Sequence, residues 1–195
     1  MRIRKSSLIV SGSLVLMVGA FTILCGIPFK WYRAPYSSFG KHVAWAISMP
    51  ESAYNFAAVT PPQLYRSGEP DADFLAYVQH RYGIKYLVSL SGPLKVHRTA
   101  RKLGMEVIVL DWRTTTPTSR EIRALLAFLS EKRGVLVHCH AGRDRTGYVI
   151  GLYRMLHDHW SLKRALHEME ANGHSRSHHS ETQRLLQNWR TAQTV

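Results

Sequence analysis

A short segment, residues 135–147, combines a cysteine, two arginines and two glycines at spacings that suit phosphate chemistry. An apolar run leads into Cys139, five residues separate it from Arg145, and Thr146 then opens a second apolar run. This pattern predicts a strand, a loop and a helix. Such a loop points successive backbone N–H groups into one concavity, and the helix dipole adds positive potential there. The segment is therefore expected to bind the phosphate of a phosphate ester.

Several side chains of this segment have a defined role in that chemistry. The positive field favours the thiolate of Cys139, which is placed for in-line attack and a phosphocysteine intermediate. Arg145 offers a planar fork for two phosphate oxygens, and Gly142 permits a tight backbone path. Thr146 can donate a hydroxyl hydrogen bond to the sulfur, and His138 is expected to orient the loop through backbone contacts.

The whole loop is expected to bind phosphate, through His140, Ala141, Gly142, Arg143, Asp144 and Arg145. His140 and Arg143 add positive potential, which favours densely charged substrates. Each feature taken singly has a plainer interpretation, since a cysteine at a strand end is often an inert core residue and an arginine is often a surface charge. The joint pattern favours catalysis.

The run from His138 to Gly147 resembles the signature loop of the cysteine-dependent protein tyrosine and dual-specificity phosphatases. Residues 64–70 resemble the opening of bacterial dual-specificity-like phosphatases, residues 83–90 resemble their following strand, and the likeness covers residues 55 to 189. It implies an α/β fold with a central, mostly parallel sheet flanked by helices, and no metal or organic cofactor. Sulfurtransferases and arsenate reductases use similar loops, but the Arg-Thr-Gly ending favours a phosphatase.

Two aspartates compete for the role of general acid, which must protonate the leaving oxygen. The resemblance implies an aspartate on a separate loop, and Asp111 lies 28 residues before Cys139, just after an apolar strand pattern. Asp144 is the rival, because a subset of similar bacterial phosphatases that act on phosphoproteins and phosphoinositides uses a loop aspartate. The structural alternatives are a turn cap for Asp111 and an ion pair with Arg143 for Asp144, and neither aspartate need be the acid.

The elements that must position this site alternate between strands and helices with short connections, which predicts an α/β layered domain over residues 56–195. Strand patterns fall at residues 63–66, 84–90, 105–110 and 135–137. Helices are predicted after Pro70, over residues 95–102, from a capping box at Thr118 and Glu121 to Gly134, from Thr146 to about His157, and after Ser161 and Ser180.

The N-terminal part predicts a membrane anchor. Residues 8–29 carry no charge, and a helix of that length covers roughly 33 Å, about one bilayer core. Basic residues flank the run on both sides. A cleaved signal peptide ending near Ala20 and a buried core helix are the alternatives. We expect a basic segment and single-pass anchor over residues 1–29, a juxtamembrane linker over residues 30–55, and a catalytic domain on the extracytoplasmic side of the cell membrane.

Composition limits the classes of function that remain. The 195 residues carry 26 Lys and Arg against 13 Asp and Glu, a net charge of +13 that suits an anionic partner. The motifs of nucleic-acid binding are lacking. Two cysteines, Cys25 and Cys139, exclude a disulfide scaffold. His174, His178 and His179 lack an acidic or cysteine partner at metal-ligand spacing, so no metal is predicted.

The sequence therefore predicts a membrane-anchored phosphate monoester hydrolase of the dual-specificity or tyrosine phosphoprotein type. A phospholipid or inositol phosphate substrate is the alternative within this class. A catalytically silent phosphate-binding module is the alternative from another class. The oligomeric state does not follow from the sequence.

Overall fold

The structure is a computed structural model, and it describes residues 38–46, 48–113, 115–174 and 179–191. The chain divides into two units, Met1–Tyr32 and Arg33–Val195, and every described residue belongs to the second. The predicted anchor over residues 8–29 lies outside the described residues. Within them, every helix is too short or too polar to span a bilayer.

The described residues form one five-stranded mixed sheet in the order β1-β2-β5-β3-β4. Its strands are β1 (Ala57–Thr60), β2 (Leu64–Ser67), β3 (Tyr86–Ser89), β4 (Glu106–Val109) and β5 (Val135–His138). The pairings β2–β5, β5–β3 and β3–β4 are parallel, and β1 pairs antiparallel with β2 at the edge. The mostly parallel sheet expected from the sequence is confirmed, with one antiparallel edge strand added.

Helices connect the strands and cover both faces of the sheet. They are α1 (Ser38–Ala46), a 3-10 turn (Pro50–Tyr54), α2 (Ala72–Tyr82), α3 (Val96–Lys102), α4 (Ser119–Glu131), α5 (Asp144–Leu156), α6 (Leu162–Ala171) and α7 (His179–Thr191). The predicted capping box of α4 is present, with Thr118 and Glu121 bonded reciprocally, and Ser161 caps α6. These caps satisfy backbone N–H groups that a helix start leaves without partners.

The strand β5 lies at the centre of the sheet and is buried along its whole length. Its side chains alternate, so Val135 and Val137 join the cluster beneath α4, α5 and α6, while Leu136 joins the cluster beneath α2 and α3. A strand covered on both faces reads as a continuous apolar run. The loop after β5 therefore starts from a strand that is buried on both faces.

Part of the segment predicted as a linker, residues 30–55, has secondary structure from Ser38 onward. Residues 38–46 form α1 and residues 50–54 a 3-10 turn, and both contribute to the core. Ala44 and Tyr54 are buried, and the Tyr54 ring stacks on Phe74 of α2 at 3.9 Å. Glycine, serine and proline in this stretch suggested a linker, but the small and aromatic residues between them bury apolar surface against α2.

Two smaller differences concern element ends. Strand β1 was not predicted, because residues 57–60 are too short to show an alternating pattern. Helix α5 begins at Asp144, two residues before the predicted start at Thr146, so Asp144 belongs to the helix and not to the loop before it.

Candidate active site

Three parallel strands end at one edge of the sheet and bring the predicted site residues together. Cys139 follows β5 directly, and Asp111 follows β4 after one further residue. The Leu90 N–H donates to the His138 carbonyl at 2.9 Å, and the Leu110 N–H donates to the Ser89 carbonyl at 2.8 Å. The edge is where ligands bind in open parallel sheets, beyond the carboxyl ends of the strands. Cys139 lies at its base, 2% exposed.

Three consecutive carbonyls of the loop are held by donors from outside it. These bonds run from the Glu69 N–H to the His140 carbonyl at 3.0 Å, from Asn55 Nδ2 to the carbonyls of Ala141 and Gly142 at 3.3 and 3.1 Å, and from Arg66 Nη2 to the Gly142 carbonyl at 2.5 Å. The donors come from the turn before β1, from β2 and from the turn after β2.

These bonds orient the loop amides. In a planar trans peptide the carbonyl and the N–H of the next residue point in opposite directions. Carbonyls of residues 140–142 held toward the core therefore turn the N–H groups of Ala141, Gly142 and Arg143 to the other side of the loop. Helix α5 begins at Asp144, so its first N–H groups also lack intrahelical partners. The result is a run of amides suited to an anion.

Gly142 fits this loop because it has no side chain. Its φ is +66°, and a Cβ there would lie 2.5 Å from the Gly68 nitrogen and 2.6 Å from the Ser67 carbonyl. Both conditions exclude other residues without a backbone shift. The loop therefore packs directly on the backbone that follows β2.

Arg145 reaches across to the end of β3. Its Nη1 donates to the Leu90 carbonyl at 2.8 Å and lies 3.3 Å from Ser91 Oγ. The guanidinium is thereby tied to the strand that neighbours β5. This places a fixed positive charge at the same edge as Cys139, where a bound phosphate would need one.

Thr146 differs from its expectation. Its side chain is fully buried in the first turn of α5, and its hydroxyl has no hydrogen-bond partner in the part of the chain described. The predicted bond to the Cys139 sulfur is therefore not formed in this structure.

His138 precedes Cys139 and is wholly buried. Its carbonyl bond to Leu90 fixes the start of the loop, and its ring lies 6.3 Å from the ring of buried His97. Burial lowers the pKa of His138 to about 3, with the neighbouring His97 adding to the effect. The imidazole is therefore neutral at ordinary pH.

Asp111 faces Arg113 at the mouth of the site. Its carboxylate accepts bonds from Arg113 Nε at 3.0 Å and Nη2 at 3.3 Å. The hydrogen bond from the Arg113 side chain lowers the pKa of Asp111, and the charge of Arg145 adds to the effect. A Cβ on Gly92 would lie 2.6 Å from this carboxylate, so Asp111 covers the turn after β3.

Asp144, the rival acid, contacts a turn after α6. Its Oδ1 lies 2.7 Å from Nδ1 of His174, whose side chain is 1% exposed. Next to this pair, a Cβ on Gly173 would lie 3.2 Å from Arg143 Cδ. The turn after α6 therefore contacts the last residue of the loop, Arg143, and the first residue of α5, Asp144.

The histidine cluster near the C-terminus is described only in part. Across the described ranges, no three His, Cys, Asp or Glu side chains converge as metal ligands. His178 lies outside those ranges, and the side chain of His179 is not described. His140 lies at the exposed rim of the loop, where its Nδ1 is 3.1 Å from Glu69 Oε2.

The sequence analysis assigned no role to Asn55, Arg66 or Glu69, which hold the loop from outside. Arg66 and Glu69 fall in residues 64–70, whose family resemblance was the available signal. Asn55 was placed in the linker, although its left-handed backbone at φ 49° suits an asparagine that ends a turn.

A buried cysteine at the end of a central parallel strand, a loop of aligned amides and an arginine fixed beside it define a cysteine-based phosphatase. The family model described as "Tyrosine phosphatase family" matches residues 52–195. The chain belongs to this family.

Individual relatives agree with that assignment. The chain is 30% identical over 165 residues to the dual specificity protein phosphatase TpbA of Pseudomonas aeruginosa (strain UCBPP-PA14), covering 82% of this chain and 71% of the relative. The crystal structure of P. aeruginosa TpbA matches with a TM-score of 0.60 at 26% identity, over 73% of this chain and 92% of that one. The core catalytic domain of the PP-IP phosphatase SIW14 from S. cerevisiae shares the fold, with a TM-score of 0.59 at 22% identity, over 68% of this chain and 83% of that one.

Proposed function

We propose that the protein hydrolyses phosphate monoesters through a phosphocysteine intermediate. The Cys139 thiolate attacks phosphorus, an S–P bond forms, the ester P–O bond breaks, and an aspartate protonates the leaving oxygen. Water then attacks phosphorus, the S–P bond breaks, and the aspartate takes a proton from the water. Inorganic phosphate and the thiolate are left.

One observation carries this proposal: the carbonyls of three successive loop residues after Cys139 are held away from the concave side. The amides opposite them can donate to the phosphate oxygens throughout the reaction without reorganising. Arg145 adds charge at the same edge. A sulfur at the base of such a loop is placed to attack phosphorus in line.

We assign the general acid to Asp111, with Asp144 as the second candidate. The position of Asp111 after β4, where the charge of Arg145 acts on its carboxylate, supports this assignment. Asp144 is the first residue of α5, and a helix N-terminus stabilises a carboxylate rather than a carboxylic acid. Both aspartates face a basic side chain in this structure. A general acid must donate a proton, so the aspartate that acts must be protonated when the substrate is bound.

The proposed substrates are phosphotyrosine and phosphoserine or phosphothreonine in proteins. The name of TpbA, a dual specificity protein phosphatase, supports this class. The second candidate is a phospholipid or inositol phosphate, which the basic loop residues His140 and Arg143 favour. A silent phosphate-binding module is the remaining alternative, and the intact Cys139 and Arg145 oppose it.

The proposed location is a membrane, with residues 8–29 as a single-pass anchor and the catalytic domain on the extracytoplasmic side. The uncharged run and its basic flanks support the anchor. Fusion of a reporter enzyme to the C-terminus tests on which side of the membrane the catalytic domain lies. If a reporter that functions only in the cytoplasm is active in the fusion, the extracytoplasmic location is wrong.

Release of inorganic phosphate tests the function. The full-length chain, purified in a mild detergent, is offered phosphopeptides, inositol phosphates and phospholipids, with Cys139→Ser as the matched control. We expect release from phosphopeptides by the parent chain alone. Release that survives in Cys139→Ser would contradict the mechanism. Binding without release in the parent would establish the silent module instead.

A further inference from the structure

The guanidinium of Arg66 lies inside the core, directly behind the phosphate-binding loop. Arg66 belongs to β2 and is 1% exposed. Its Nη2 donates to the Gly142 carbonyl at 2.5 Å, and its Nε and Nη1 have no hydrogen-bond partner in the described ranges. A buried charge with one hydrogen bond is unfavourable by itself. A compensating interaction with a negative group is therefore expected.

The charged groups around Arg66 identify that negative group. Glu168 and Arg154 face it from α6 and α5, and Cys139 faces it from the end of β5. Glu168 is already paired with Arg154, at 2.9 Å between Oε1 and Nη2. Burial lowers the pKa of Arg66 to about 10, so the side chain remains charged at neutral pH. Arg154 also pairs with Asp158, at 2.7 Å between Nη1 and Oδ2, so Glu168 and the Cys139 sulfur are the two groups that can compensate the charge of Arg66.

The hydrogen bond to Gly142 has a separate consequence. Holding the Gly142 carbonyl toward β2 turns the N–H of Arg143 to the opposite side of the loop. Asn55 also bonds the Gly142 carbonyl, but at 3.1 Å and with a neutral amide. A charged donor at 2.5 Å is the stronger of the two restraints.

We propose that Arg66 is a positioning residue of the phosphate site, which aims the Arg143 N–H at the phosphate and supplies a buried positive charge behind the Cys139 sulfur. The inference rests on the proposed function, since it requires that an oxyanion binds in this loop. It differs from the role of Arg145, which lies on the other side of β5 and bonds the end of β3.

The test uses the full-length chain with Arg66→Met, which removes the charge and the donor, and Arg66→Lys, which keeps the charge but not the fork. Leu64→Ala is the matched control, because Leu64 is a fully buried residue of the same strand with an apolar side chain. Two measurements need no turnover. One is orthovanadate binding by calorimetry, and the other is the pH midpoint for alkylation of Cys139 by iodoacetamide.

We expect Arg66→Met to weaken orthovanadate binding by about tenfold or more and to move the alkylation midpoint to higher pH. Arg66→Lys should restore the midpoint and recover only part of the binding. Leu64→Ala should lower the melting temperature and leave both measurements as in the parent. A merely structural role for Arg66 would make Arg66→Met behave like Leu64→Ala, and that result would overturn the proposal.

Arg66→Lys decides the matter if Arg66→Met does not fold. Orthovanadate binding equal to that of the parent in Arg66→Lys would then overturn the proposal, whereas weaker binding with an unchanged midpoint supports it. If the parent chain binds orthovanadate but does not release phosphate from any ester, the proposed function is wrong. The role of Arg66 is then still tested by the same two measurements. A parent chain that binds no orthovanadate overturns both.

Discussion

The loop that carries Cys139 and the segment that carries Asp111 lie at one edge of the sheet, yet they are held in opposite ways. The loop receives bonds from Asn55, Arg66 and the Glu69 N–H, all distant in sequence. Asp111 is held by Arg113, two residues away, and both side chains are substantially exposed. The proposed phosphate-binding loop is thus held by the core of the domain, whereas the proposed general acid depends on local contacts in solvent.

Gly142→Ala should have the largest effect, because it disrupts the loop that is held by the core. A methyl group there would meet the backbone at 2.5 Å with φ at +66°. We expect a loss of about a hundredfold or more in kcat/KM and destabilisation by about 2–4 kcal/mol. Phosphate release and urea unfolding measure the two.

Gly83→Ala is the control for that substitution. Gly83 also has φ +66°, but no atom lies within 4 Å of its added Cβ. It should cost about 1 kcal/mol of stability and leave kcat/KM unchanged. Equal losses of activity in the two variants would show that backbone strain, and not the packed loop, limits activity.

Asp111→Asn should slow catalysis strongly but selectively. An alkyl phosphate needs a protonated leaving group, so its kcat should fall by about 10²–10³-fold, while an activated aryl phosphate should be affected far less. Steady-state kinetics with both substrates measure the contrast. If Asp144→Asn shows the contrast and Asp111→Asn does not, the general acid is Asp144 at the start of α5. If neither shows it, both assignments are wrong.

His138 should make the stability of the folded domain sensitive to acid. Burial lowers the pKa of His138 to about 3, so between pH 6.5 and 3 the unfolded chain binds a proton that the folded chain does not. Stability should therefore fall with acidity across this window, by on the order of 5 kcal/mol in total. His138→Asn should flatten the slope of unfolding free energy against pH there. An unchanged slope would assign the acid sensitivity to other groups.

Arg113→Gln should have the smallest effect, because the ion pair is exposed. Arg113 lowers the pKa of Asp111, so its removal should raise that pKa. A general acid acts in its protonated form, and the alkaline limb of the kcat profile for an alkyl phosphate should move to higher pH. Arg120→Gln, an exposed arginine at the start of α4, should leave the profile in place. A shift toward lower pH would contradict the assignment of Asp111.

The spacing of residues along the chain predicted much of the secondary structure around the candidate site. The strand before Cys139, the loop to Arg145 and the capping box at Thr118 each depend on neighbouring residues, whose hydrophobic period and hydrogen-bonding groups can be read directly. The boundaries near residues 38–60 were misread, because short helices and a four-residue strand carry too little periodicity.

The sequence by itself determined the family, and it predicted the nucleophile and the arginine, because all three predictions depend on one continuous stretch. Only the tertiary structure decided what holds that stretch in place. Arg66, Asn55 and His174 meet the loop because β2 pairs with β5 and α6 packs on α5, and those pairings join residues far apart in the chain. An arginine on a short strand gives no sign of burial until its neighbours are known. Long-range packing therefore determined which of these polar groups became part of the site.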